Sequence, residues 1–133
     1  MSMHRVAQAA TFLGISTDTL RRWIAQGKLS EHRNEAGRTV VDGEELAALA
    51  RDTAVLPTDP SGVVSSARNR LMGLVTKVVS DTVMAQVDMQ CGPHRIVSLM
   101  SREAVEDLGL NPGDVAVASV KATTVIVETP SSS

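Results

Sequence analysis

The 133 residues carry thirteen Lys or Arg against fifteen Asp or Glu, a net charge of −2, with 43% hydrophobic and 21% charged residues. That composition predicts a soluble globular protein of one ordinary domain or two small ones, and no run of about 18 apolar residues is present for a transmembrane helix. The opening Met1 to Arg5 lacks the apolar segment of a secretory signal, and the single Cys91 has no internal disulfide partner, which fits a cytoplasmic location.

The aromatics, Phe12 and Trp23, both lie in the first half of the chain, a first sign of two modules. Residues 1–56 hold seven basic and seven acidic side chains, and residues 57–133 hold six and eight. Any contact with DNA must therefore come from basic residues gathered on one face.

Val6, Ala9, Ala10 and Leu13 recur at helical spacing, and Gly14 is placed to end that helix. Ser16 reads as the cap of a second helix, with Asp18 in its first turn and Leu20, Trp23 and Ile24 on its apolar face, up to Gly27. Two short helices joined this closely make a helix-turn-helix. Thr17, Thr19, Arg21 and Arg22 lie off the apolar stripe and are candidates for contact with base edges and phosphates. Extended segments Leu29 to Arg33 and Arg38 to Val41 flank the turn Asn34-Glu35-Ala36-Gly37, a small wing carrying Arg33 and Arg38. Asp42-Gly43-Glu44-Glu45 reads as a capping box opening a third helix.

The pattern Val6-Ala-Gln-Ala-Ala10, Leu13-Gly-Ile-Ser16, Thr19-Leu-Arg-Arg-Trp-Ile24 and Gly27-Lys-Leu29 resembles the winged helix-turn-helix of the MerR and excisionase families. The resemblance implies double-stranded DNA as a partner, contacted by the second helix and the wing.

Residues 52–65, with two prolines, a glycine and small polar residues, read as a flexible linker between domains at 1–51 and 66–128. Thr129 to Ser133 reads as a disordered tail. Within 66–128 the period becomes two: Leu71 to Val79, Val83 to Met89, Arg95 to Met100, Val115 to Lys121 and Val125 to Glu128 predict five strands. Ser101 caps one short helix ending at Gly109, and Asn111 to Asp114 is a turn. The expected fold is therefore α+β: a mainly helical first domain and an OB-like five-stranded barrel with one helix. A barrel binding single-stranded nucleic acid stacks bases on aromatics in a positive groove, and this module has no aromatic.

Ser66 and Arg68, two apart in extended chain, point to one side and offer a hydroxyl and a guanidinium. Lys121-Ala122-Thr123-Thr124 offers an ammonium, a hydroxyl and backbone N–H groups beside a small residue. Donors and fixed positive charge without a carboxylate suit a small anion. Cys91 and His94 are too few for a metal site, His4 and His32 read as solvated or phosphate-facing rather than catalytic, and no nucleophile, base and orienting group assemble into a catalytic set.

Ser66-Ala-Arg-Asn69, Gly73, Ile96, Ser101-Arg-Glu-Ala-Val105, Leu108-Gly-Leu110, Gly113 and Lys121-Ala-Thr-Thr-Val125 resemble the Mop, or TOBE-type, domain of molbindins and molybdate-responsive regulators. The resemblance implies molybdate or tungstate held between subunits by Ser66, Arg68, Ser101, Lys121, Thr123 and the backbone of Ala122, in a dimer or larger homo-oligomer such as a hexamer. Where the family commonly has a second hydroxyl in the short helix, this chain has Ala104. Arg68 of one chain and Lys121 of another are expected to balance the dianion between them.

The combined expectation is a cytoplasmic, non-enzymatic, molybdate- or tungstate-responsive transcriptional regulator with no membrane partner. The alternatives are a molybdate storage or buffering protein, and an excisionase-like architectural DNA-binding protein.

Overall fold

A computed structural model describes residues 2–55 and 58–130. The chain divides into two compact units, Met1–Leu56 and Pro57–Ser133. The tail expected at 129–133 falls, for 131–133, outside the described residues, as do residues 56 and 57 of the connector.

In the first unit, α1 (Val6–Leu13) buries Val6, Ala9 and Ala10 and ends where Gly14 adopts φ 68°. Gly14 N–H bonds back to Thr11 O at 3.2 Å and Ile15 N–H to Ala10 O at 3.0 Å, satisfying carbonyls that the helix leaves open. The chain turns directly into α2 (Thr17–Ala25), whose cap Ser16 accepts from Thr19 N–H at 3.1 Å. Leu20 is fully buried against Val6, Ala9, Ala10, Leu29, Val41 and Leu46, with Trp23 and Ile24 packed at the rim. Each buried Val or Leu among them contributes about 1.5–3 kcal/mol of apolar burial.

The wing consists of β2 (His32–Arg33) and β3 (Thr39–Asp42), antiparallel, with Asn34 Oδ1 accepting from the N–H groups of Ala36 and Arg38 at 3.0 Å each. Sequence reading missed one strand, β1 (Met3–Arg5), which pairs with the other side of β3 to give the order β1-β3-β2. α3 (Gly43–Thr53) starts on Asp42, whose carboxylate accepts from Glu45 N–H at 3.1 Å. The reciprocal half of the expected capping box is absent among the described residues. Glu45 reaches across to Ser30, accepting from its N–H at 3.1 Å and its hydroxyl at 2.9 Å.

The second unit is organised by β4 (Asn69–Ser80), a strand long enough to serve two partners. Its first half pairs with β7 (Val115–Val120) and its second half with β5 (Met84–Cys91), which pairs in turn with β6 (His94–Ser101). The order is β6-β5-β4-β7, all neighbours antiparallel. The partners overlap at Leu74, and a register shift between Val75 and Lys77 bends the strand there. The Asn111–Asp114 turn docks on the bend: Gly113 N–H bonds Val75 O at 2.8 Å and Val75 N–H bonds Asp114 O at 2.9 Å. Gly73 is required by close approach, because a Cβ there would meet the Gln90 carbonyl and lie 2.7 Å from Cys91 Sγ.

α4 (Arg102–Leu108) follows β6 and packs Val105 onto Val75, Ala85, Val87, Met89 and Cys91. The fold is α+β as expected, but the strand count is corrected. Among the described residues the second unit has four strands, not five, because Val125–Glu128 pairs with nothing in this chain. After β7 the backbone makes a single 3₁₀ turn (Ala122–Thr124), and Val125, Ile126 and Val127 are 45%, 83% and 85% exposed.

Candidate functional site

On α2 the exposed side chains are Thr17, Asp18, Arg21, Arg22 and Ala25, and neither arginine makes an ion pair among the described residues. Thr19 is half-buried and accepts the Ser16 hydroxyl at 3.0 Å, so it belongs to the helix cap. The two wing arginines differ. Arg33 is tied into the wing, donating to Gly37 O and to Glu31 at 3.0 Å each, whereas Arg38 is exposed and has no such partner among the described residues. At the end of α2 the Lys28 ammonium lies 5.5 Å from the Trp23 ring centroid, a cation–π contact that fixes a further positive charge beside the helix.

In the second unit, Ser66 and Arg68 are exposed and Ala67 between them is buried, the alternation that extended chain imposes. The ladder between β4 and β7 ends on the pair Asn69 and Val120, and Asn69 Nδ2 also donates to Val120 O at 3.1 Å. The next residues outward are Arg68 on one strand and Lys121 on the other. The structure therefore brings these two positive residues to one end of one chain's sheet. No carboxylate pairs with either among the described residues. Lys121 O accepts both the Thr124 N–H at 3.0 Å and the Thr124 hydroxyl at 2.9 Å, closing the 3₁₀ turn. The turn does not consume the N–H groups of Ala122 and Thr123, which precede its first internal bond.

Ser101 stands elsewhere. β6 ends there opposite Met84, at the sheet end where β4 finishes on Ser80 paired with Ala85. The twelve residues of β4 cover on the order of 35–40 Å of chain. Within one chain, Ser101 is thus at the opposite end of the sheet from Ser66, Arg68, Lys121, Ala122 and Thr123. Its hydroxyl accepts from Ala104 N–H at 3.1 Å and Arg102 N–H is taken by Val83 O at 2.8 Å. Fewer free donors remain at this helix start than the sequence suggested: among the described residues the Ser101 O–H and the Glu103 N–H are still able to donate.

The structure also adds a group that sequence reading missed. Arg70, paired with Ser119 one step inside Asn69, binds Asp59 and Ser61, so the connector expected to be unstructured across 52–65 is fastened there. The signal lay in Asp59-Pro60-Ser61, a turn sequence, but its partner was eleven residues away.

Cys91 and His94 face each other as the closing pair of the β5–β6 hairpin. Among the described residues no cluster of three or more His, Cys, Asp or Glu side chains forms a metal site, and no helix is long and apolar enough to cross a membrane.

Residues 65–127 match the TOBE domain family and residues 5–54 match a helix-turn-helix domain family. Molybdenum-pterin-binding protein 3 of Clostridium pasteurianum is 36% identical over 63 residues, which are 47% of this chain and 93% of that protein. The chain belongs to the molybdenum-pterin-binding, or Mop, family. The helix-turn-helix unit is fused ahead of the Mop unit. Molybdenum-pterin-binding protein 2 of the same organism is 38% identical over the same share. A molybdate-binding protein from Sporomusa ovata has 37% identity, covering 50% of this chain and all of that one, with a TM-score of 0.49. The cytoplasmic molybdate-binding protein ModG, solved with molybdate bound, has 42% identity, covering 57% of this chain and 55% of that one, with a TM-score of 0.50.

Proposed function

We propose that this protein is a cytoplasmic, molybdate-responsive DNA-binding transcriptional regulator. The observation that carries the reading is that Arg68 and Lys121 follow the last register pair of β4 and β7 at one sheet end, with no carboxylate paired to either among the described residues. Two like charges held close repel each other, and a tetrahedral dianion relieves that repulsion while accepting from the Ser66 and Thr123 hydroxyls and the N–H groups of Ala122 and Thr123. Molybdate is the dianion suggested by the Mop relatives and by ModG. Tungstate has the same shape and charge, whereas sulfate, with the same charge, is smaller, so cavity size and donor placement set the preference.

The site is completed in a homo-oligomer, with Ser101 coming from a second copy. Support comes from the separation of Ser101 from the other residues in one chain, and from what one chain leaves uncovered. β6 and β7 are both open sheet edges, and unpaired edges invite pairing with another copy. Val125, Ile126 and Val127 extend from the sheet with their apolar side chains in water. Arg21 and Arg22 on α2, with Arg38 on the wing, then meet double-stranded DNA, and an oligomer presents the helices in symmetric sets.

Electrophoretic shift of duplex promoter DNA, with and without molybdate, tests the proposal. A shift that molybdate strengthens or weakens supports it. Molybdate binding without any DNA shift makes the protein a storage or buffering molecule, and a DNA shift indifferent to molybdate makes it an architectural one.

A further inference from the structure

Asp59, Ser61, Arg70 and Ser119 form a closed hydrogen-bonded group. Asp59 Oδ2 accepts from Arg70 Nε at 3.0 Å and Nη2 at 2.7 Å, while Oδ1 accepts from Ser61 N–H at 2.8 Å and from its hydroxyl at 2.7 Å. Arg70 Nη2 also donates to Ser61 Oγ at 2.9 Å and Nη1 to Ser119 Oγ at 3.0 Å. The Arg70 side chain is 24% exposed. An isolated surface ion pair is worth little, but here both carboxylate oxygens and all three guanidinium nitrogens are engaged, with charge-assisted bonds from Arg70 converging on Oδ2. The group sits at a telling place. Arg70 and Ser119 are a register pair, each two residues from Arg68 and Lys121 respectively.

We propose that this clasp couples the oxyanion site to the helix-turn-helix: an anion holding Arg68 and Lys121 together favours the closed clasp, and the clasp sets how far the DNA-binding unit can reach. The inference rests on the oxyanion and DNA reading above. α3 ends at Thr53, so a closed clasp leaves six chain steps to Asp59, at most about 20–22 Å. With the clasp open, the tether runs fourteen steps to the buried Ala67, up to about 46–50 Å. Paired recognition helices must match half-sites about 34–36 Å apart, or multiples of that, so a change of this size decides which spacings the oligomer engages. Bonded and released clasp are the two states whose balance both sites bias, which is what coupling requires. The same balance works in reverse, with DNA binding changing the oxyanion affinity by the same factor and in the same direction.

The test uses the full chain, sodium molybdate, and duplex DNA selected by the wild-type protein from a random pool. Three quantities are read for wild type, Asp59→Ala and Arg70→Gln: hydrogen exchange at Ser61 and Val63, molybdate affinity by calorimetry, and DNA affinity with and without molybdate. Neither substituted residue belongs to the candidate binding sets. In wild type, molybdate should slow exchange at Ser61 and change DNA affinity by about 5- to 150-fold. In both variants molybdate should still bind, but more weakly by the factor with which it favours the closed clasp, Ser61 should exchange fast throughout, and the DNA response should fall below about twofold. Variants that keep the full DNA response overturn the proposal, as does a wild-type Ser61 amide that molybdate leaves unchanged. Wild type that binds molybdate and slows Ser61, yet shows a constant DNA affinity, overturns the coupling alone. Absence of molybdate binding in wild type instead overturns the functional reading beneath it.

Discussion

The two units solve the same packing problem in opposite ways. The first, with three short helices and three short strands, closes a core in a single copy: Leu20, Val41 and Ala9 are at 0% exposure. The second has a larger sheet and leaves it open. A cavity of about 680 Å³ lies between its edges, lined by side chains such as Met89, Ile96, Met100, Leu110 and Ala118. Leu99, Leu108, Ile126 and Val127 are each at least 66% exposed. Helices satisfy their backbone internally, so a helical unit needs only an apolar stripe to bury. A four-stranded sheet always has two edges. The comparison teaches that the first unit buries its main core within one copy, whereas the second leaves two sheet edges and an apolar cavity open, as the proposed completion by another copy requires.

The largest expected way to sharpen that contrast strikes the first unit's function and spares the second's. Replacing Arg21 and Arg22 together with Ala should weaken DNA binding by roughly 2–6 kcal/mol if each makes a good base contact, with molybdate affinity unchanged. Anisotropy titration on duplex DNA, run beside calorimetry with molybdate, checks both halves.

A second intervention removes the first unit's fold. Leu20→Ala leaves a cavity at a fully buried site and should cost roughly 2.7–5 kcal/mol. Differential scanning calorimetry should show the loss confined to the first unit's transition. A shift of equal size in the Mop unit's transition would mean that the two are not independent.

Gly73→Ala does the converse, at about 1–3 kcal/mol, because the new methyl group runs into the Gln90 carbonyl and the Cys91 sulfur where β4 crosses β5. Sedimentation should show a weakened oligomer while α2 still binds DNA.

The smallest effect concerns the clasp. The Asp59 carboxyl is lowered from 3.8 to about 2, first by its bonds to the Ser61 hydroxyl and N–H and then by Arg70. A group with a depressed folded value contributes its full share above 3.8 and loses it as pH falls from there through about 2. The carbon resonance of the Asp59 carboxyl should therefore titrate with a midpoint near 2. A midpoint near 3.8 would show an unclasped connector.

What the sequence made legible is what local chemistry determines. Gly14 and Ser16 bound their helices because a left-handed turn and a cap are settled within four residues. Asn34 to Gly37 and Asn111 to Asp114 made their turns for the same reason. β1 escaped notice because three residues carry no period, and only its pairing with β3 makes it a strand. Glu45 was assigned to a capping box by spacing, yet Ser30 offered it two donors from outside the helix. Val125 to Glu128 has the composition of a strand but pairs with no strand among the described residues. The candidate anion residues were readable as motifs at the two ends of the module. Their sorting into Arg68 with Lys121 at one sheet end, and Ser101 at the other, required the register.

That sorting gives the most direct test of the claim that the Mop unit is completed by a second copy. Ser101→Asp keeps a good helix cap but sets a carboxylate against the dianion, and Arg68→Ala removes a charge from the other sheet end. Neither chain alone should bind molybdate in calorimetry. After subunit exchange the mixture should regain sites, because an intact Arg68–Lys121 end of one chain then meets an intact Ser101 of the other. Mixing Arg68→Ala with Lys121→Ala should regain none, since both losses fall on the same sheet end. Full molybdate binding by Ser101→Asp alone, or recovery in the Arg68→Ala and Lys121→Ala mixture, would contradict the account.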